Sequence, residues 1–161
     1  MFIHCNRFHN ASPIDACENE DAERRTAKAE KGKDVMARFI QHNQNPKGRK
    51  TSDCVVRALS FALQMPYEEV LKELYETQLK TGYCLLDKQC YERVLAAHGF
   101  VKMKQPRHDN GSKYLVREID LLTMKRCVVS LAYHLTAAEG GFIYDIWDCR
   151  NKTIGNYFVK Q

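Results

Sequence analysis

Cys54, His134 and Asp145 are the residues of this chain whose types, in this order, support nucleophilic chemistry. A thiolate can attack a carbonyl carbon, and a neighbouring histidine can hold a proton and give it to the leaving group. A carboxylate on the far side of the imidazole can fix the tautomer of the ring. The three types together predict acyl transfer through a thioester, provided that the fold brings them into contact.

The stretch from Thr51 to Leu63 predicts a helix that begins at Cys54. Ser52 or Asp53 can cap its first turn, and nearly every later position is apolar, so we expect a helix that is buried on most faces. Met65-Pro66 should end it, because the residue before a proline avoids helical geometry. Free N–H groups and the helix dipole favour a thiolate in the first turn. The alternative interpretation is a small buried residue at a helix start.

A β-hairpin is predicted in the last third of the chain. Residues 134–138 and 142–147 are strand-like, and they flank Glu139-Gly140-Gly141, which is a turn signal. With the turn centred on either pair of these three residues, the numbers of paired residues sum to an odd number. The hairpin geometry therefore decides which side chains share a face.

In both registers His134 and Asp145 lie on the same face, directly opposite or one step diagonal. Trp147 shares that face and can screen their hydrogen bond from water, which strengthens the bond. Asp148 points to the other face, unless a bulge near Ile146 exchanges the two aspartates. We therefore expect Asp145 to orient the imidazole, with its other nitrogen turned toward the thiol.

The remaining pattern places helices before strands. We predict further helices over residues 66–82, 87–98 and 115–122, and further strands over residues 100–104, 127–132 and 154–159. This order predicts an α+β fold in which the buried helix with the cysteine packs on a C-terminal antiparallel sheet.

The start of the chain differs from the rest in composition. Residues 1–42 are interpreted as an N-terminal arm with a basic helix, and residues 43–161 as the domain that holds the core. The helix is expected within residues 20–40 and is weakened at Gly32. The side chains expected to dock it are Val35, Met36, Phe39 and Ile40.

The charge of +5 is unevenly distributed, with an acidic stretch over residues 15–23 and a basic stretch over residues 24–50. A basic segment can bind nucleic acid. This one has no interleaved aromatic side chains to stack on bases, so the solvated face of a helix is the better interpretation. We expect no nucleic-acid partner, and the sequence does not indicate an oligomeric state.

The seven cysteines are scattered, and residues 1–6 lack the charged start and apolar centre of a signal peptide. No apolar run reaches the length of a membrane span. These features predict reduced thiols in the cytoplasm and no membrane partner. Four residues near the start of the chain are of types that ligate zinc: His4, Cys5, His9 and Cys17. No paired C-x-x-C frames them, so we expect no metal and no cofactor.

The order Cys, His, Asp, with a tryptophan two residues after the third member, resembles the papain-like cysteine peptidases. Within that family the chain is most similar to small proteins found mainly in bacteriophages and their bacterial hosts. The motifs that carry the resemblance are Asn45-Pro46-Lys47, Asp53-Cys54-Val55-Val56-Arg57-Ala58 and Tyr144-Asp145-Ile146-Trp147-Asp148, within roughly residues 43–159.

The resemblance implies a thiol hydrolase, a peptidase or isopeptidase-like enzyme, with a Cys54–His134–Asp145 triad. It implies a peptide or protein substrate and, if the protein is phage-encoded, the host cytoplasm as its compartment. The alternative is a catalytically weak or inactive protein that binds a host target through the same fold.

Two positions depart from the family pattern. Gly48 stands where the family has the glutamine of the oxyanion hole, so Asn45 or Gln44 becomes the candidate side-chain donor, beside the backbone N–H of Cys54. The family's usual Gly-His is Tyr133-His134 here. Both departures bear on efficiency and substrate class more than on the fold.

Overall fold

The computed structural model describes residues 36–161, in which three α-helices are followed by most of a mixed β-sheet. The α-helices are α1 (Cys54–Leu63), α2 (Tyr67–Thr81) and α3 (Lys88–Ala97), and a 3-10 helix covers Val116–Leu121. The strands are β1 (Arg38–Gln41), β2 (Phe100–Met103), β3 (Cys127–Leu131), β4 (His134–Glu139), β5 (Phe142–Asp145) and β6 (Tyr157–Lys160). The expected α+β class is confirmed.

Among the described residues the sheet has six strands, in the order β1-β5-β4-β3-β6-β2. Its neighbouring strands are antiparallel except for β1 and β5, which are parallel. Side chains of successive residues therefore enter two separate cores. Val128 packs with the three α-helices, whereas Val129 packs on the other face with Ile119 of the 3-10 helix.

Helix α1 begins at Cys54, as the sequence predicted, and is buried along most of its length. It ends in a left-handed Gln64, just before Met65-Pro66. Asp53 occupies the N-cap position, but its side chain makes no capping hydrogen bond in the described structure. The predicted capping hydrogen bond from the Asp53 side chain is therefore wrong, because other side chains engage that carboxylate.

The helix predicted to reach residue 40 is wrong at its C-terminal end, where residues 38–41 form β1. The N–H of Arg38 donates to the carbonyl of Gly141, and the N–H of His42 donates to that of Asp145, at 2.8 and 2.7 Å. The free edge of β5 supplies these partners, and local spacing of apolar residues cannot reveal such an edge.

The side chains expected to dock that helix do not form an apolar face. Met36 and Ile40 are exposed, whereas Ala37 is fully buried in the core that lies beneath the 3-10 helix. Strand β1 thus joins the sheet although it lies before residue 43. The other part of the predicted helix, including Val35, and the N-terminal cysteines and histidines lie outside the described residues.

Two further expectations need adjustment. The sheet is mixed rather than antiparallel, because β1 adds to it in parallel. The last strand begins at Tyr157 instead of residue 154. Within residues 36–161, no helix has the length and apolar character to cross a bilayer.

Candidate active site

Cys54 is half-buried, and its sulfur accepts hydrogen bonds from the backbone N–H groups of Val55 and Leu135. The first of these belongs to the opening turn of α1, where N–H groups lack an intrahelical partner. The second belongs to β4, on which α1 packs. The packing of this helix on this strand therefore surrounds the sulfur with donors that favour a thiolate.

His134 begins β4 and Asp145 ends β5, and Nε2 of the imidazole lies 2.6 Å from Oδ2 of the carboxylate. The register pairs Ala137 with Tyr144, which puts the two residues on one face and one step diagonal. Oδ1 of Asp145 accepts the N–H of Ile146 at 2.7 Å. The contact expected from strand alternation is confirmed, and both carboxylate oxygens are occupied.

His134 also hydrogen-bonds Cys54. Since Nε2 is held by Asp145, Nδ1 is the nitrogen that the ring offers to the sulfur. The imidazole therefore joins the thiol to the carboxylate.

These contacts shift the two pKa values in opposite directions. Burial raises the pKa of the Cys54 thiol, but the hydrogen bonds from His134 and Leu135 outweigh it and leave the pKa below its ordinary value. Burial lowers the pKa of His134, but the bonds to Asp145 and Cys54 outweigh it and raise the pKa to about 9. Both shifts favour a thiolate beside an imidazolium.

Strand β5 ends at Asp145 rather than at the predicted residue 147, but Trp147 still lies beside His134 and Asp148 away from it. The ring centroids of Trp147 and His134 are 5.0 Å apart, and the side chain of His134 is 12% exposed. Asp148 lies at the surface, where its Oδ2 is 2.8 Å from Nη2 of Arg150. Trp147 thus shields the imidazole, and Asp148 takes no part in the contact with it.

Sequence reasoning missed a buried polar network at the start of α1. Asp53 forms a buried ion pair with Arg57, and its Oδ2 accepts hydrogen bonds from Asn45 and from the hydroxyl of Tyr67, at 2.8 and 2.9 Å. Nη1 of Arg57 donates to the carbonyl of Thr51 at 3.2 Å. The i, i+4 spacing of opposite charges on an otherwise apolar helix was the available signal.

Arg57 also links this network to the aspartate beside His134. Burial lowers the pKa of its guanidinium, and the negative charge of Asp145 opposes that shift, so the two groups lie within electrostatic range. One buried cation therefore acts on both the segment that leads into Cys54 and the carboxylate on the other side of the site.

Neither candidate for the side-chain donor of an oxyanion hole lies in position in the described structure. Nδ2 of Asn45 is bound to Asp53, and its Oδ1 accepts the N–H of Lys47. Gln44 lines a separate small cavity that also contains Asp145. Thr51 and Ser52, rather than these two residues, line the cleft beside the thiol.

The cleft has a volume of about 810 Å³, and both Cys54 and His134 lie on its wall. The rest of the wall is mixed, with aromatic and aliphatic side chains beside a few charged ones. Its exposed apolar members are Leu86, Tyr133 and Trp147. A cleft of this volume lies within the range of ligand-binding pockets in proteins.

Within residues 36–161, one cluster of metal-ligating types includes members of this site. Ligand atoms of His134, Asp145 and Cys149 lie within 4.8 Å of one another. Burial, with the nearby charge of Asp145, raises the pKa of the Cys149 thiol to about 12. A metal there would displace the hydrogen bond between His134 and Asp145 and would require a thiolate that burial disfavours.

No protein-family model, curated protein or solved structure matches this chain.

Proposed function

We propose that this chain is a papain-like thiol hydrolase, a peptidase or isopeptidase-like enzyme that uses Cys54, His134 and Asp145. The observation that carries the proposal is the imidazole of His134, which bonds Asp145 through Nε2 and also interacts with the thiol of Cys54. A helix with the cysteine at its N-terminus, packed on the strand that begins with the histidine, also agrees with a papain-like arrangement.

In the proposed reaction the thiolate of Cys54 attacks a carbonyl carbon, and an S–C bond forms. The imidazolium of His134 gives its proton to the leaving nitrogen as the C–N bond breaks, so that an amine departs and a thioester remains. Water then attacks the thioester, His134 accepts a proton from it, and the C–S bond breaks to release the acid. Asp145 holds the tautomer and stabilises the imidazolium throughout.

Hydrogen-bond donors must stabilise the negative charge that develops on the carbonyl oxygen. The backbone N–H of Cys54, at the N-terminus of α1, is one candidate donor in this proposal. The side chain of Asn45 is not a second donor in this arrangement, because Asn45 does not line the cleft and its Nδ2 donates to Asp53.

The first test is the site of labelling by one equivalent of iodoacetamide at neutral pH, located by mass spectrometry among the seven cysteines. We expect Cys54 to react first, because its pKa is lowered, and the exposed Cys84 to serve as the comparison thiol. If Cys84, Cys5 or Cys17 is labelled while Cys54 stays silent, the proposed nucleophile is wrong.

The second test is turnover. The chain should cleave unfolded casein or a mixed peptide library, and Cys54→Ala should abolish cleavage while leaving the circular dichroism spectrum unchanged. Cys84→Ser is the matched control, because it removes an exposed thiol outside the cleft, and it should cleave like the natural chain.

A second candidate function is a binding protein that keeps the fold with little catalysis. The positions of Asn45 and Gln44 favour it, because neither residue lines the cleft, which leaves it without the expected side-chain donor. A p-nitrophenyl ester separates the two candidates. A hydrolase releases p-nitrophenol continuously, whereas a binding protein with a merely reactive thiol releases one equivalent and stops.

A further inference from the structure

Tyr133 has a backbone conformation that its side chain does not favour. Its φ is +58°, in the left-handed region, and within residues 36–161 it shares a positive φ with one other non-glycine residue, Gln64. It lies in a two-residue turn, because the flanking Leu131 and His134 are paired. Glycine is the usual residue at such a position, since it has no Cβ to clash with the following carbonyl.

Neither helix termination nor burial explains why a tyrosine occupies position 133. Gln64 terminates α1 as its C-cap, which is a common use of a left-handed residue. Tyr133 ends no helix, and its side chain is fully exposed, at 105% of the reference value, so its ring gains nothing from burial. Residues held in rare backbone conformations cluster at functional sites.

Tyr133 lies beside the proposed nucleophile. It directly precedes His134 and lies on the wall of the cleft that contains Cys54. Leu86, from the segment between α2 and α3, and Trp147, after β5, lie on the same wall, and each is 40% exposed. Exposed apolar groups from three separate segments therefore line the cleft that contains the thiol.

The charges of the cleft wall argue against an acidic occupant. Nζ of Lys88 lies 4.0 Å from Oε1 of Glu92, and Arg57 and His134 are engaged by Asp53 and Asp145. Each cation of the wall therefore already has a carboxylate partner. An aromatic group can instead stack on the tyrosine ring.

We propose that Tyr133 determines specificity by stacking on an aromatic side chain of the peptide that acylates Cys54. This inference rests on the proposed function, because it assumes that the thiol acts on a substrate in the cleft. Tyr133 stands where the resembled family usually has glycine. In this proposal the tyrosine is there to select the substrate, and not merely as a residue that fits the turn poorly.

The test compares the rates at which Cys54 is alkylated by chloroacetamide and by N-phenethyl chloroacetamide. Both reagents form the same S–C bond as chloride leaves, and the second carries an aromatic ring. In the natural chain we expect the aromatic reagent to react at least fivefold faster. Tyr133→Gly should abolish that preference and Tyr133→Phe should keep it, where the preference is the ratio of the two rates measured in the same variant.

Gln64→Gly is the matched control, because it relieves the other positive φ away from the cleft. It should leave the preference for the aromatic reagent unchanged. Tyr133→Gly should not lower the midpoint of thermal unfolding, since glycine accepts the left-handed conformation freely.

Four outcomes would overturn the inference alone: no aromatic preference in the natural chain, an undiminished preference in Tyr133→Gly, an equal loss in Gln64→Gly, or a lowered unfolding midpoint in Tyr133→Gly. Failure of Cys54 to react with either reagent would overturn the proposed function, and the inference with it. The two failures are distinguishable because chloroacetamide reports the thiol without the ring.

Discussion

Both oxygens of the Asp145 carboxylate accept a hydrogen bond, one from His134 and the other from the N–H of Ile146. An asparagine has a single acceptor oxygen, so Asp145→Asn must turn its NH₂ group toward one of these donors. It also removes the charge that supports the imidazolium. We therefore expect Asp145→Asn to slow peptide cleavage by roughly 10²-fold or more.

Asp148→Asn is the control for that change, because Asp148 is an exposed carboxylate three residues further along that pairs with Arg150. It should leave the cleavage rate almost unchanged. Equal losses in the two variants would contradict the assignment of Asp145 as the residue that orients His134.

The pH dependence of reactivity follows from the opposite pKa shifts of Cys54 and His134. Because the pKa of the thiol is lowered, alkylation by iodoacetamide should already be fast at neutral pH, before an ordinary thiol ionises. Peptide cleavage also needs the proton of His134, so its rate should fall as the pH rises through about 9. Rates of alkylation and of cleavage, measured from pH 5 to 10, check both expectations.

His134→Ala tests whether His134 lowers the pKa of the Cys54 thiol. The thiol then loses the hydrogen bond that opposes its burial, so its pKa should rise and the alkylation curve should move to higher pH. A curve that stays in place would show that His134 does not activate the sulfur.

At the scale of elements, α1 depends on a buried cation. Arg57 and Asp53 have side chains that are 6% and 10% exposed, and removal of one partner leaves the other as an unpaired charge. We expect Arg57→Met to reduce the free energy of unfolding by about 3–5 kcal/mol. Urea denaturation of the natural and variant chains measures the loss.

Two controls separate the buried charge from a general loss of arginine. Arg150→Met breaks an exposed ion pair with Asp148 and should cost about 0–1 kcal/mol. Asp53→Asn combined with Arg57→Met leaves no unpaired charge and should regain part of the stability. A double variant that is less stable than Arg57→Met alone would contradict this explanation.

Strand β1 is the second element with a testable role. Deleting residues 1–42 removes β1 and the N–H of His42 that holds the carbonyl of Asp145, and it exposes the edge of β5. We expect this deletion to lower the unfolding midpoint and to slow cleavage. Deleting residues 1–30 keeps every described residue and should leave both unchanged. Equal thermal unfolding of the two truncations would show that β1 contributes nothing.

Local signals in the sequence were sufficient for most of the helices and for the hairpin. Met65-Pro66 and Gly82 mark real helix ends, and Gly140 sets the register that brings His134 to Asp145. These features depend on residues that are near one another along the chain, so propensity and alternation could reveal them.

The features that the sequence did not reveal depend on distant partners. Phe39 belongs to a strand because β5, far along the chain, has a free edge. Asn45 does not line the cleft, and the fold instead directs its amide to Asp53. Which partner a polar side chain meets is decided by tertiary packing, and no local pattern contains that information.

The parallel pairing of β1 with β5 has a consequence for the order in which the molecule is built. Strand β1 lies near the beginning of the described chain and β5 near its end, so this part of the sheet closes a long loop and is slow to form. During synthesis the thiol of Cys54 leaves the ribosome well before His134 and Asp145. The nascent chain therefore carries an ordinary, poorly ionised thiol, and the contacts that lower the pKa of Cys54 form only after the chain through Asp145 has been made.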